Sequence, residues 1–161
     1  MQAGPNPFGA LSLIAAPAVL TNACSVLILS TANRLARAVD RARLLTSEIE
    51  RASQAGDNPH AEVRELASAE RRALLLLQAL RCFYVALGGF ALSAFLSLVG
   101  AVMAPRAPGV ISRPMEVIAL ATGLVAVGAL VTGTVVLVRE TRIAVDTLQL
   151  RAKEARARLN L

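Results

Sequence analysis

Three stretches of this chain, Met1–Asn33, Cys82–Pro105 and Val117–Val138, contain no Asp, Glu, Lys or Arg. The second and third hold 24 and 22 residues, and a helix needs about 20 to cross roughly 30 Å of hydrocarbon. A soluble helical domain breaks its apolar runs with polar residues at the helical period. These runs have no such breaks, and they explain why a chain of 161 residues is 55% hydrophobic with a mean hydropathy of +0.57. The fold class expected is an all-α membrane protein with three transmembrane helices.

Placement of charge gives the orientation. Of 17 Lys and Arg, nine fall in 34–81 and six in 139–161, leaving Arg106 and Arg113 alone beyond the membrane. Basic residues concentrate on the cytoplasmic side of short-looped membrane proteins. The N-terminus is therefore expected outside and the C-terminus inside, in a multi-pass protein of the cell inner membrane. The first run lacks the positive n-region of a cleaved signal peptide, so it is expected to be retained. A net charge of +6 raises nucleic acid as a partner. Only 3% of residues are aromatic, and no basic stripe interleaves with stacking rings, which excludes that class.

In chain order, 1–7 reads as an outside tail and 8–54 as the first membrane helix with a cytoplasmic extension. Pro17 would kink it near the outer surface by removing one backbone hydrogen bond. Past Arg34 the apolar residues Leu35, Ala38, Ala42, Leu45, Ile49 and Ala52 recur at alternating spacings of three and four, the seam of a coiled-coil-like helix. Residues 55–59 form a hairpin turn, with Asn58 as N-cap and Pro59 at the first helical position. A second helix over 60–104 carries Leu66, Ala69, Ala73, Leu76 and Leu80 at the same spacing and runs into the second span. The prolines of 105–114 mark an outer loop. The third helix, 115–160, continues the seam through Val145, Leu148, Ala152, Ala155 and Leu159. The three extensions are expected to pack as a cytoplasmic three-helix, coiled-coil-like stalk within one structural domain, because a lone helix of this length is marginal in water.

The seams are rich in alanine and bury little area at about 25 cal/mol per Å², so packing between subunits would help. Rows of small residues, Gly89, Ser93, Ser97 and Ala101, then Ala129 and Gly133, allow close helix approach in a membrane. They point to a homo-oligomer, with packing of the second span on the third inside one chain as the competing reading.

Chemistry has little to work with. There is no Cys-x-x-Cys, His-Glu-x-x-His or glycine-rich phosphate loop. His60 is the single histidine, placed beside the hairpin. Cys24 and Cys82 sit at different depths, which argues against a disulfide. Ion pairs such as Arg142–Asp146 and Glu154–Arg158 are expected to be solvated. No catalytic residue, metal site or cofactor is implied, and an enzyme is not expected.

The first helix carries the strongest functional signal. Asn22, Ser25, Leu29, Asn33 and Arg37 lie near one face, and polar groups inside hydrocarbon must face protein or water. This face either bonds neighbouring helices, together with Thr21, or lines a pore in which Leu29 is a constriction and the arginines an inner mouth. The basic cluster Arg34, Arg37, Arg41 and Arg43, with Arg81 and Arg139, also suits anionic lipid headgroups.

The run Ser30–Leu45, STANRLARAVDRARLL, followed by the hairpin with ERRALLLLQAL and by two further spans ending in Arg139-Glu140, resembles a bacterial inner-membrane family known as domain of unknown function 2721. The resemblance implies a multi-span membrane protein and supplies no activity. The function expected is that of a non-enzymatic homo-oligomeric membrane assembly or scaffold, whose stalk docks copies of itself or a cytoplasmic protein partner. The alternative is an ion or small-solute channel lined by the first helix.

Overall fold

A computed structural model describes residues 7–56, 60–103 and 112–158. They form three α-helices, α1 (Pro7–Gln54), α2 (His60–Met103) and α3 (Ser112–Arg158), and no strand occurs among the described residues. Leu148, Ala152 and Ala155 lie on α3 with side chains outside the described set, as does Leu159 altogether. Asn58, Pro59 and most of the expected outer loop also lie outside it. The α3 helix starts at Ser112, three residues before the expected 115, and takes in Pro114. A proline is tolerated there because the N–H groups of a first turn have no intrahelical acceptor.

Helix α1 ends where the backbone turns left-handed. Gly56 has φ +75°, and Ala55 N–H and Gly56 N–H donate to the carbonyls of Arg51 and Ser53 at 3.1 and 3.3 Å. This capping geometry satisfies the last carbonyls and favours glycine, whose missing Cβ removes the steric penalty. Arg51 in the last turn of α1 and Glu62 in the first turn of α2 each oppose the local helix dipole.

Along each helix the inward residues repeat every seven. Cys24, Thr31, Ala38, Leu45 and Ala52 on α1, Ala69, Leu76, Phe83, Phe90 and Ser97 on α2, and Ala119, Ala126, Gly133 and Glu140 on α3 are all buried or half-buried. A second set three or four residues on (Leu35, Ala42 and Ile49 on α1) is half-buried as well. The expected seams of α1 and α2 are therefore inward-facing. The α3 seam is different: Val145 is 45% exposed, and the inward register there passes through Val136, Glu140 and Ile143. The apolar spacing after Arg139 suggested Val145, but the span fixes the register, and it places a glutamate on the buried face.

The chain divides into two compact units. The first comprises 1–29 and 81–132. Its core is Cys24, Ala86, Phe90 and Ala126, with Leu20, Leu87, Ala129 and Leu130 packed against it. Helices α2 and α3 approach closely because Gly89 faces Ala126: a Cβ on Gly89 would lie 2.8 Å from that of Ala126. One turn further, the Ser93 hydroxyl donates to the Ala119 carbonyl at 2.8 Å, an interhelical bond that also satisfies the serine. The row Gly89–Ser93 thus packs α2 on α3 inside the chain. Ser97 turns back to the Ser93 carbonyl at 2.9 Å, and the Ala101 side chain lies outside the described set.

Helices α2 and α3 are each long and apolar enough to cross a membrane, with mean hydropathies of 2.0 and 2.2 over their most apolar windows, of which only 17% is buried. Leu92, Phe95, Leu120 and Leu124 are among the apolar side chains left outside. Packing within the chain therefore does not account for this apolar surface.

The second unit comprises 30–80 and 133–161, and buries Leu45, Ala69, Leu76 and Ala79. It also buries two polar groups, Thr31 and Glu140.

Candidate functional site

The heptad register brings Glu140 into the interior of the second unit, where its side chain is only 3% exposed. An ionised carboxylate in such a place is costly unless it is paired and hydrogen-bonded. Two arginines meet it, one from each of the other helices. Arg72 of α2 donates from Nε at 2.9 Å and approaches with Nη2 at 2.8 Å, both to Oε1. Arg34 of α1 lies with Nη1 3.8 Å from Oε2, a Coulombic contact too long for a hydrogen bond. A second cross-helix pair follows two turns along α1. Arg41 donates to Glu65 Oε1 from Nη2 at 2.7 Å and from Nε at 3.1 Å. That hydrogen bond holds the Arg41 guanidinium above its ordinary range.

These groups surround a cleft of about 380 Å³. Its charged walls are Arg34, Arg37 and Arg41 from α1, Arg72 from α2 and Glu140 from α3. Arg34, Arg37 and Arg41 share it because spacings of three and four stack side chains on one helical face. A second groove of about 460 Å³ lies on the other flank of Arg34. It shares Arg34 and Thr141 with the cleft and is otherwise lined by Leu137, Val138 and Val145 together with Thr134 and Arg142. Thr31 sits one turn before Arg34, and its buried Oγ1 has no hydrogen-bond partner among the described residues. Other helical hydroxyls, such as those of Thr46, Thr132 and Thr141, donate to the carbonyl four residues back.

The basic cluster separates into two kinds of arginine. Arg34 and Arg41 engage carboxylates of other helices, and Arg43 lies 3.9 Å from Asp40 on its own helix. Arg37, Arg81 and Arg139 are exposed and have no ion pair among the described residues. The polar face of α1 points outward: Asn22, Ser25 and Asn33 are exposed and Leu29 is 65% exposed. The Ser25 hydroxyl donates to the Thr21 carbonyl at 3.0 Å. No described side chain of α2 or α3 bonds to this face. Ala129 is half-buried and Gly133 buried. Cys24 and Cys82 are free thiols, and no three His, Cys, Asp or Glu side chains converge on a metal-sized site among the described residues. His60 is exposed.

Sequence reading passed over Arg72, Glu65 and Glu140. The signal for Glu140 is present all the same. Counting sevens from Ala119 through Ala126 and Gly133 lands on it, so the register of the span identifies the buried acid before any partner is known.

The comparisons agree with the sequence motifs. No curated protein and no solved structure matches the chain. A family model described as protein of unknown function (DUF2721) matches residues 14–150, a segment that contains the Arg34 motif, both cross-helix pairs and the apolar windows of α2 and α3. The chain belongs to that family.

Proposed function

We propose that the protein is a non-enzymatic integral membrane protein that works as a homo-oligomeric assembly. In this reading all three helices span the inner membrane, the N-terminus is outside, and the helices continue as a cytoplasmic coiled-coil-like bundle that docks further copies or a cytoplasmic partner. One observation carries it. The Asn22–Ser25–Leu29–Asn33 face of α1 is exposed in the single chain, and an amide facing lipid is costly unless another protein surface or water meets it. A second copy supplies that surface at small cost, since each subunit hides the same face. The Gly89–Ser93 row is already occupied within the chain, so α1 is the surface left for assembly.

The exposed face also favours a second reading, an ion or small-solute channel with α1 around its axis. Both readings need an oligomer, and they differ in whether the face is wet. Light scattering of the detergent-solubilised protein reads the first point, and a monomer excludes both. Single cysteines at Asn22, Ser25 and Leu29 on a Cys24→Ala, Cys82→Ala background read the second. Disulfide cross-links between copies at these sites, and not at a Phe95→Cys control, are expected for the α1 interface. Rapid modification by a membrane-impermeant thiol reagent supports the channel, while protection supports a dry interface.

A further inference from the structure

From the arginine cleft we infer a binding site for a phosphate-bearing anion, with the headgroup phosphate of an anionic phospholipid as its source. Its walls carry four arginines against one carboxylate, Glu140. Counting Glu65, which neutralises Arg41 from outside the cleft, two positive charges remain uncompensated. Glu140 holds Arg72 through a hydrogen bond at 2.9 Å and an ion-pair contact at 2.8 Å but touches Arg34 only at 3.8 Å, so the Arg34 donors are largely free. Arg37, one turn along the same face, is exposed and has no ion pair among the described residues. Two forked guanidinium groups with free N–H donors, three residues apart on a helix and facing one concavity, match the bidentate geometry of a phosphate.

Glu140 has a defined part in this. By fixing Arg72 across the cleft it holds the far wall in place without neutralising Arg34 or Arg37. The neighbouring groove supplies the argument for a lipid. It begins at Arg34 and is lined by Leu137, Val138 and Val145, with Thr134, Thr141 and Arg142 as its polar members, so a phosphate seated between Arg34 and Arg37 would have apolar surface beside it. A soluble phosphate would use the cleft and leave the groove unfilled. The assignment rests on the membrane reading only for the lipid source, and it does not depend on oligomeric state.

The test uses full-length protein purified in a non-ionic detergent. Native mass spectrometry counts phosphatidylglycerol against phosphatidylcholine bound at equal concentrations, with inorganic phosphate as competitor in a parallel arm. Wild-type protein is expected to retain phosphatidylglycerol preferentially, and Arg37→Gln to weaken that retention about fivefold. The companion variant Arg51→Gln removes one exposed positive charge outside the cleft and is expected to change it by less than twofold. Competition by millimolar inorganic phosphate, lost in Arg37→Gln, shows that the phosphate is the recognised group. Phosphate binding that needs Arg37, without any lipid preference, keeps the anion site but overturns the lipid source. Equal losses in Arg37→Gln and Arg51→Gln, or no loss in either, overturn the site. Since Arg37 has no ion pair among the described residues, its replacement is not expected to unfold the chain, and circular dichroism of the same sample verifies this.

Discussion

The Glu140 pair is unequal in its exposure, and that determines which substitution is worse. The carboxylate is 3% exposed, whereas Arg72 and Arg34 keep 38% and 43% of their side chains in contact with solvent. Removing Arg72 strands an acid that water cannot reach, with a single contact at 3.8 Å. Breaking a fully buried pair costs about 3–5 kcal/mol. Partial exposure of the arginine places Arg72→Met nearer about 2–3 kcal/mol. Removing Glu140 leaves arginines that turn outward into water, so Glu140→Leu is expected to cost about 1 kcal/mol, and the double variant to lie close to wild type. Thermal unfolding followed by circular dichroism measures all three. A Glu140→Leu loss as large as that of Arg72→Met would show that the asymmetry is absent.

At the level of elements, a seven-residue spacing of inward positions runs uninterrupted along each helix, and its occupants change in character along the way. On α2 it passes from Ala69 and Leu76 to Phe83 and Phe90; on α3 it passes from Ala119 and Ala126 to Gly133 and then to Glu140. Small residues at these positions set how near the helices come. Gly89→Ala places a methyl group 2.8 Å from the Ala126 Cβ and 3.4 Å from its Cα. The obstacle includes backbone, so the helices must separate, at a cost of about 1–3 kcal/mol. Gly88, the next residue, has nothing within 4 Å of such a methyl. Gly88→Ala is therefore expected to be neutral or to stabilise by up to about 1 kcal/mol through helix propensity. Melting temperatures of the two variants in one detergent decide this, and equal shifts would contradict the close approach. The periodicity of α1 and α2 was legible because leucine and alanine mark it. In α3 it was obscured because the inward position after the span is filled by a charged residue, which pattern reading assigns to solvent.

For the whole molecule, the distribution of charge makes a topological prediction. Nine and six of the 17 basic residues lie in 34–81 and 139–161, and translocating either segment would carry many guanidinium groups across hydrocarbon. A reporter active only in the periplasm is expected to be silent when fused after Leu161 and active when inserted near Ala107, between Arg106 and Pro108. Activity at Leu161 would reverse the orientation. It would also move the arginine cleft to the opposite leaflet.

The sequence by itself determined the helical class and the apolar character of the two helices that can cross a membrane, because these follow from composition and local period, and its motifs carried the resemblance to the family. It also marked the inward faces of α1 and α2. Partner choice required the tertiary structure. Arg72 and Glu140 are 68 residues apart, and nothing local names either as the partner of the other. Helix packing alone brings them together, by removing water from Glu140 until only a guanidinium from another helix can satisfy it. Packing likewise sorted the α1 cluster, setting Arg34 at 3.8 Å and Arg41 at 2.7 Å from carboxylates of other helices and Arg37 beside none among the described residues. It also turned Asn22, Ser25, Leu29 and Asn33 outward, because Cys24 and Thr31 occupy the inward positions among them.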